Sequence, residues 1–402
     1  MSGPLLRALP TLLLRVRGAL PGMFAAGLAV LGACAAGTRV ELAGDELFSL
    51  GIGPLDEQLD LVRVAGAPAP HATRVVMRDG LFYIANGNAR KVMQLSSHGD
   101  LLLLIYDPAR NPEPVGLAPG GNAAATRAAV KHRFRELSHI AVDSRRRILV
   151  VDAAGDQAAV GYGQLVKRFG PDGSYLDAIG REGPGGTPFP FVERVTVMAD
   201  DMLVVTARTD VQWITYWYDA DGTLQERLEL EHAGRLGDEP GLVIRDLLPL
   251  LSQRRLLVFV ESWADGNDGG GDGDGDGAIA GVRVYDVASR SVVAAFGLPE
   301  AAPPRGAARV GSEPLAGPRY HPLGVTADGL LYLTRREDDL TRSLLVLGRS
   351  GRVLVRRRWV LDETGLGYVT LGMNESGVLY GLLGAGDRAR MVWWRGDLLV
   401  EP

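Results

Sequence analysis

A chain of 402 residues with a single cysteine can form no disulfide within itself, so no covalent staple supports its fold. It also lacks an excess of positive charge. Forty-three Lys and Arg stand against 48 Asp and Glu, for a net charge of −5. That balance excludes a surface built to hold phosphate backbones, and no nucleic-acid partner is expected. The apolar run near its start, Ala19 to Leu31, covers 13 residues and is broken by Pro21 and small glycines. A spanning helix needs about 20 residues, so this run is too short to be one. The usual signatures of catalysis are missing as well: there is no Walker-type loop, H-E-x-x-H pair, C-x-x-C pair or G-x-S-x-G elbow. What is present is 46% hydrophobic residues, enough for a sizeable core, with 53 glycines and 23 prolines for many turns.

The first 33 residues hold Arg7, Arg15 and Arg17 and no acid, followed by the apolar run. A charged start followed by a short apolar stretch is the layout of a secretory signal. The stretch ends Leu31-Gly32-Ala33-Cys34 and resembles the bacterial lipobox, in which small residues precede a cysteine that is acylated and becomes the new N-terminus. The resemblance implies a signal peptide over 1–33, a lipid on Cys34 and a short tether over 34–45. Several acyl chains would anchor firmly, since each buried CH₂ contributes about 0.8 kcal/mol. The competing readings are ordinary signal cleavage nearby, or a buried structural thiol.

From residue 46 onward one theme recurs. Its clearest copy is HIAVDSRRRILVVDA followed by QLVKRFGPDGSYLDAIGREG, His139 to Gly183. Four short segments alternate with turns, and Pro171-Asp172-Gly173 is a tight hairpin signal. Weaker copies cover Arg74–Asp107, Arg194–Leu230, Arg254–Gly297, Leu323–Val360 and Tyr368–Glu401. Four antiparallel strands from about 45 residues make one propeller blade, so the expected fold is all-β, a six-bladed β-propeller over 46–402. A pair of two-sheet sandwiches would explain the number of strands but not the regular four-strand theme. A ring must join its first and last blades or leave two edges open, and the lead-in strand within 46–66 is placed to pair with the last blade.

The central copy resembles the NHL repeat through Val142-Asp143, Val151-Asp152, Phe169, Asp172-Gly173 and Gly180. With the lipobox and the lead-in LFSLGIGPLDEQLDL, the whole chain resembles six-bladed NHL or TolB-like propeller lipoproteins of the kind found in spirochaetes.

Three stretches interrupt the copies. The stretch 111–135 begins Pro/Gly-rich and continues into AAATRAAVKHRFREL, which is expected to form a short helix; 298–319 is a Pro/Ala/Gly-rich loop. Between two strands of the fourth copy lies DGNDGGGDGDGDG, 265–277. Asp272, Asp274 and Asp276 alternate there with glycine, as in the front half of a calcium loop. The pattern then fails: its twelfth position is Arg283 rather than Glu, and its ninth is Ala280. A solvated loop is the plainer reading, with weak Ca²⁺ binding the sharper one and no other cofactor implied.

The six histidines have no ligand spacing among them. His139 and His321 each open a copy just before the strand expected nearest the axis. They could face a shared funnel and a metal, or each could hydrogen-bond a neighbouring blade. Trp213 and Trp217 alternate with Tyr216 and Tyr218, which sends the two pairs to opposite faces. Packing between blades is the ordinary reading for such rings, and an exposed aromatic platform for a glycan or peptide is the alternative. The expected function is therefore a membrane-anchored extracytoplasmic lipoprotein of the cell envelope. Its propeller would bind or scaffold a protein, peptide or glycan. The alternative is a metal-dependent hydrolase, lactonase or lyase of the six-bladed type, with Ca²⁺ or Zn²⁺ in the axial channel.

Overall fold

Alternation of apolar and polar residues on short strands, punctuated by turn residues, folds this chain into six four-stranded antiparallel blades arranged as a ring. The computed structural model describes residues 41–61, 72–119, 127–155, 163–262, 279–299, 309–310, 313–314 and 320–400. All of them lie in one compact unit, Arg39–Pro402. Cys34 with Leu31, Gly32 and Ala33, and the stretch 265–277, lie outside the described residues.

Blade one is Thr73–Arg78, Leu81–Asn86, Lys91–Leu95 and Leu101–Tyr106. Blade two is Ile140–Val142, Ile148–Ala153, Gln164–Phe169 and Tyr175–Gly180, and blade three is Phe191–Val197, Leu203–Arg208, Gln212–Tyr218 and Leu224–Glu231. Blade four is Glu239–Pro249, Arg255–Ser262, Ile279–Asp286 and Ser291–Gly297. Blade five is His321–Val325, Leu331–Arg336, Thr341–Leu347 and Val353–Val360. The last blade takes three strands from the C-terminal end, Tyr368–Met373, Leu379–Ala385 and Arg388–Trp394. Its outer strand is Asp45–Gly51, antiparallel to Arg388–Trp394 with Leu50 opposite Ala389.

Because strand side chains alternate, each blade has two apolar faces, and each face fills a seam with one neighbour. On Leu81–Asn86, Phe82 and Ile84 enter the seam shared with blade six, beside Phe48, Tyr380 and Met391. Tyr83 and Ala85, one step out of phase, enter the seam shared with blade two, beside Phe134, Val150 and Phe169. Separate sheets joined by seams of this kind exclude a pair of sandwiches.

The turns repeat as closely as the strands. In blades one, two, three and five the turn into the outer strand places Gly99, Gly173, Gly222 and Gly351 at positive φ. The turn after the inner strand does the same with Arg146, Asp201, Gly329 and Gly377 in blades two, three, five and six.

The structure corrects the sequence reading in two places. Residues 128–131 form a strand, not part of a helix: Ala128–Lys131 runs parallel to the outer strand of blade one, with Leu103 opposite Ala128 and Tyr106 opposite Lys131. The open ladder of blade one offers backbone partners that outweigh the few tenths of a kcal/mol favouring helix in an alanine-rich stretch. The second correction concerns blade four. Its inner strand is Glu239–Pro249, upstream of the copy recognised from Arg254. Charged residues and two prolines mask its apolar alternation.

Candidate functional site at the axial mouth

The six inner strands pack side by side around the axis, so whatever they present at one level meets there. Register with the second strand of each blade fixes that level. Arg74 lies opposite Ala85, Arg194 opposite Thr206, Asp246 opposite Phe259, His321 opposite Thr334 and Thr370 opposite Leu382. In blade two the N–H of Val151 donates to the carbonyl of His139 at 2.9 Å. In five blades the partner stands three residues beyond the first paired residue of its strand; in blade one, whose turn is tighter, Ala85 stands four beyond Leu81. The charges of Arg74 and Arg194 both act on His139, and Arg74, His139, Arg194, Asp246, His321 and Thr370 form one axial layer.

Holding that layer level takes local distortion. The inner strands of blades three, four and five each break register, between Val192 and Arg194, Ile244 and Asp246, and Pro322 and Gly324. Such bulges re-aim side chains and are over-represented beside functional sites. In blade five the break returns His321 to the level of His139. The two histidines occupy blades two and five, on opposite sides of the ring, and no hydrogen bond or shared partner joins them among the described residues.

The electrostatics of the layer are settled by neighbours. Arg194 donates to Asp246 at 2.8 Å, so these two charges compensate each other. His139 is half-buried among protein groups. Burial, and then the guanidinium groups of Arg74 and Arg194, push its pKa down to about 3. The imidazole is therefore neutral. It contacts the hydroxyl of Ser138 at 3.3 Å and hydrogen-bonds the backbone of Glu193. Glu193 pairs with Arg208, and Arg245 with the buried Glu261 at 2.9 Å. Arg74 is exposed, and among the described residues no carboxylate pairs with it. Its backbone, by contrast, is anchored. The preceding residue, Thr73, is buried and donates its N–H to the Tyr368 hydroxyl at 3.2 Å. That hydroxyl donates in turn to the Thr73 carbonyl, and Asn86 Nδ2 donates to Thr73 Oγ1 at 2.8 Å.

A metal cation held by His139 would sit between two arginines, and that field opposes it. Among the described residues no group of three or more His, Cys, Asp and Glu side chains gathers as a metal site. Trp213 and Trp217 present no platform: both are buried in the seam between blades three and four, with Leu247 and Val258. Tyr216 and Tyr218 fill the opposite seam with Phe189. Arg74, Arg194, Asp246 and Tyr368 escape a reading of the sequence by motif. Aligning the copies on their turns would have brought His139 and Arg194 to one position, with Arg74 one residue away.

No protein-family model and no curated protein matches this sequence. Among solved structures the chain is similar to a streptogramin B lyase, at 10% identity and a TM-score of 0.40 over 89% of this chain and 99% of that one. It is also similar to a putative gluconolactonase, at 13% identity and a TM-score of 0.37 over 90% of this chain and 94% of that one. A third similarity is to the β-propeller domain of the Trilobed protease from Pyrococcus furiosus, at 10% identity and a TM-score of 0.43 over 81% and 96% of the two chains. Values this low leave the fold to rest on the strand pairing itself. That pairing makes the chain a six-bladed β-propeller.

Proposed function

We propose that this propeller is a binding module of the cell envelope, held to a membrane through a lipid on Cys34 and akin to NHL or TolB-like propeller lipoproteins. Its ligand is a protein, peptide or glycan that docks at the axial mouth. The observation that carries this reading is the polar layer at the mouth: six inner strands bring Arg74, His139, Arg194, Asp246, His321 and Thr370 to one level, with bulges in three of them. Polar side chains concentrated where the inner strands meet give a larger ligand something to recognise, while the apolar seams behind them keep the frame rigid. The lipobox-like end of the N-terminal segment supports the address.

Capture from solubilised membranes tests the binding reading. The tagged full chain should retain an envelope protein or cell-wall fragment that an Arg74→Gln, Arg194→Gln double variant does not. Retention of nothing by either protein would overturn it. The anchor is tested by palmitate labelling, which Cys34→Ala should abolish; undiminished label on that variant would sink the anchor.

A further inference from the structure

We propose that the axial mouth is built to take a carboxylate, with the guanidinium of Arg74 as its counter-charge, so that the ligand of the binding reading above is one bearing a monoanionic acid group. The inference rests on that reading for its biological meaning, but not for its chemistry. Three features of the layer lead to it.

The first is charge balance. Arg194 is neutralised by Asp246, Arg208 by Glu193 and Arg245 by Glu261. Arg74 is the cation of the layer with no carboxylate partner among the described residues. One uncompensated positive charge suits one negative charge. His139 adds no second cation, because its ring is neutral across the physiological range. A dianion such as sulfate would bring more charge than the site can balance.

The second is rigidity. Arg74 projects from a residue pair whose backbone is clamped on both sides: Tyr368 of blade six bridges the N–H and carbonyl of Thr73, and Asn86 holds the Thr73 hydroxyl. A guanidinium on an anchored base loses less freedom on binding than one on a mobile loop, and its planar fork matches the two oxygens of a carboxylate. The third is the fixed wall beside it. His139 spends its ring contacts on Ser138 and Glu193, so it lines the site without competing for the anion.

Trifluoroacetate, followed by ¹⁹F NMR, is a direct probe of the purified chain. Wild type should show saturable millimolar binding. Arg74→Gln should weaken it at least tenfold, and Arg74→Lys by less, since lysine keeps the charge but not the fork. Arg356→Gln, on the outer strand of blade five, should leave it unchanged. Sulfate should compete no better than its ionic strength predicts. As an independent readout, the His139 ring resonances should shift on titration of wild type and not of Arg74→Gln. Equal binding by wild type and Arg74→Gln, absence of saturation in wild type, or preference for sulfate would each overturn the proposal. Failure to capture an envelope partner, with trifluoroacetate binding intact, would count against the binding module and not against this site.

Discussion

Gly99, at the turn into the outer strand of blade one, rests on Phe48 in the outer strand of blade six: a Cβ on Gly99 would lie 2.9 Å from Phe48 Cβ and Cγ. The same seat recurs around the ring. Gly173 of blade two meets Leu103 and Ile105 of blade one, Gly222 of blade three meets Ile179 of blade two, and Gly351 of blade five meets Phe296 of blade four. Each of these blades thus rests a glycine turn on its predecessor's outer strand. At Gly99 the contact joins the N-terminal strand to the first blade and completes the circle.

Gly99→Ala is therefore expected to lose about 2–4 kcal/mol, from a φ of 89° that alanine resists together with the collision with Phe48. Gly80 has a φ of 73° with nothing within 4 Å of an added Cβ. Gly80→Ala should then lose only the conformational part, about 1 kcal/mol. Urea denaturation of both variants separates the two terms. Equal losses would refute the seat.

Arg146 tests the turn after the inner strand from the other side. Its φ is 59°, at the position Gly329 and Gly377 hold in blades five and six. Its pair with Asp79, at 3.8 Å, is exposed on both sides and adds little. Arg146→Gly should raise stability by a few tenths to about 1 kcal/mol. A lower melting temperature would show that the strained arginine contributes something the contacts do not reveal.

Closure of the ring depends on Asn86, which is fully buried. It accepts from the Asp60 N–H at 2.9 Å and donates to the Asp60 carbonyl at 2.9 Å and to Thr73 Oγ1 at 2.8 Å, tying the segment after the closing strand to blade one. Asn86→Ala strands these groups and should cost about 2–4 kcal/mol. Hydrogen exchange should report it first as lost protection over 45–61, ahead of blade three. Uniform loss across all blades would place the weakness elsewhere.

Acid should unfold the protein in part through two histidines. Burial, then Lys167, holds His132 at a pKa of about 4, and His139 lies at about 3. Unfolded, both titrate near the ordinary value of about 6.5. Between those limits the unfolded chain binds more protons, so their contribution is complete above about pH 6.5 and is lost as pH falls toward 3. His132 packs among Phe134, Phe169 and Tyr175 at 4.9–5.1 Å. His132→Gln should cost packing at pH 7 yet flatten the decline from pH 7 to 4.5 by on the order of 1 kcal/mol. An unchanged slope would show that His132 ionises freely in the native state.

By itself the sequence determined the repeat, the four-strand theme and the turn chemistry, because these are local. Alternation sends Trp217 and Tyr218 to different faces whatever surrounds them, and Asp221-Gly222 turns the chain wherever it occurs. Where local signals were weak the reading slipped. Ala128–Lys131 carries helix-forming residues, yet a waiting strand edge paired with it. Glu239–Pro249 hides its alternation behind charges and prolines, and only its neighbours make it a strand. The tertiary structure alone decided which residues meet at the axis. Arg74 and Asp246 stand 172 positions apart with no motif between them. A one-residue bulge before Gly324 sets the level of His321, and register of this kind arises from pairing across strands, which no single segment encodes.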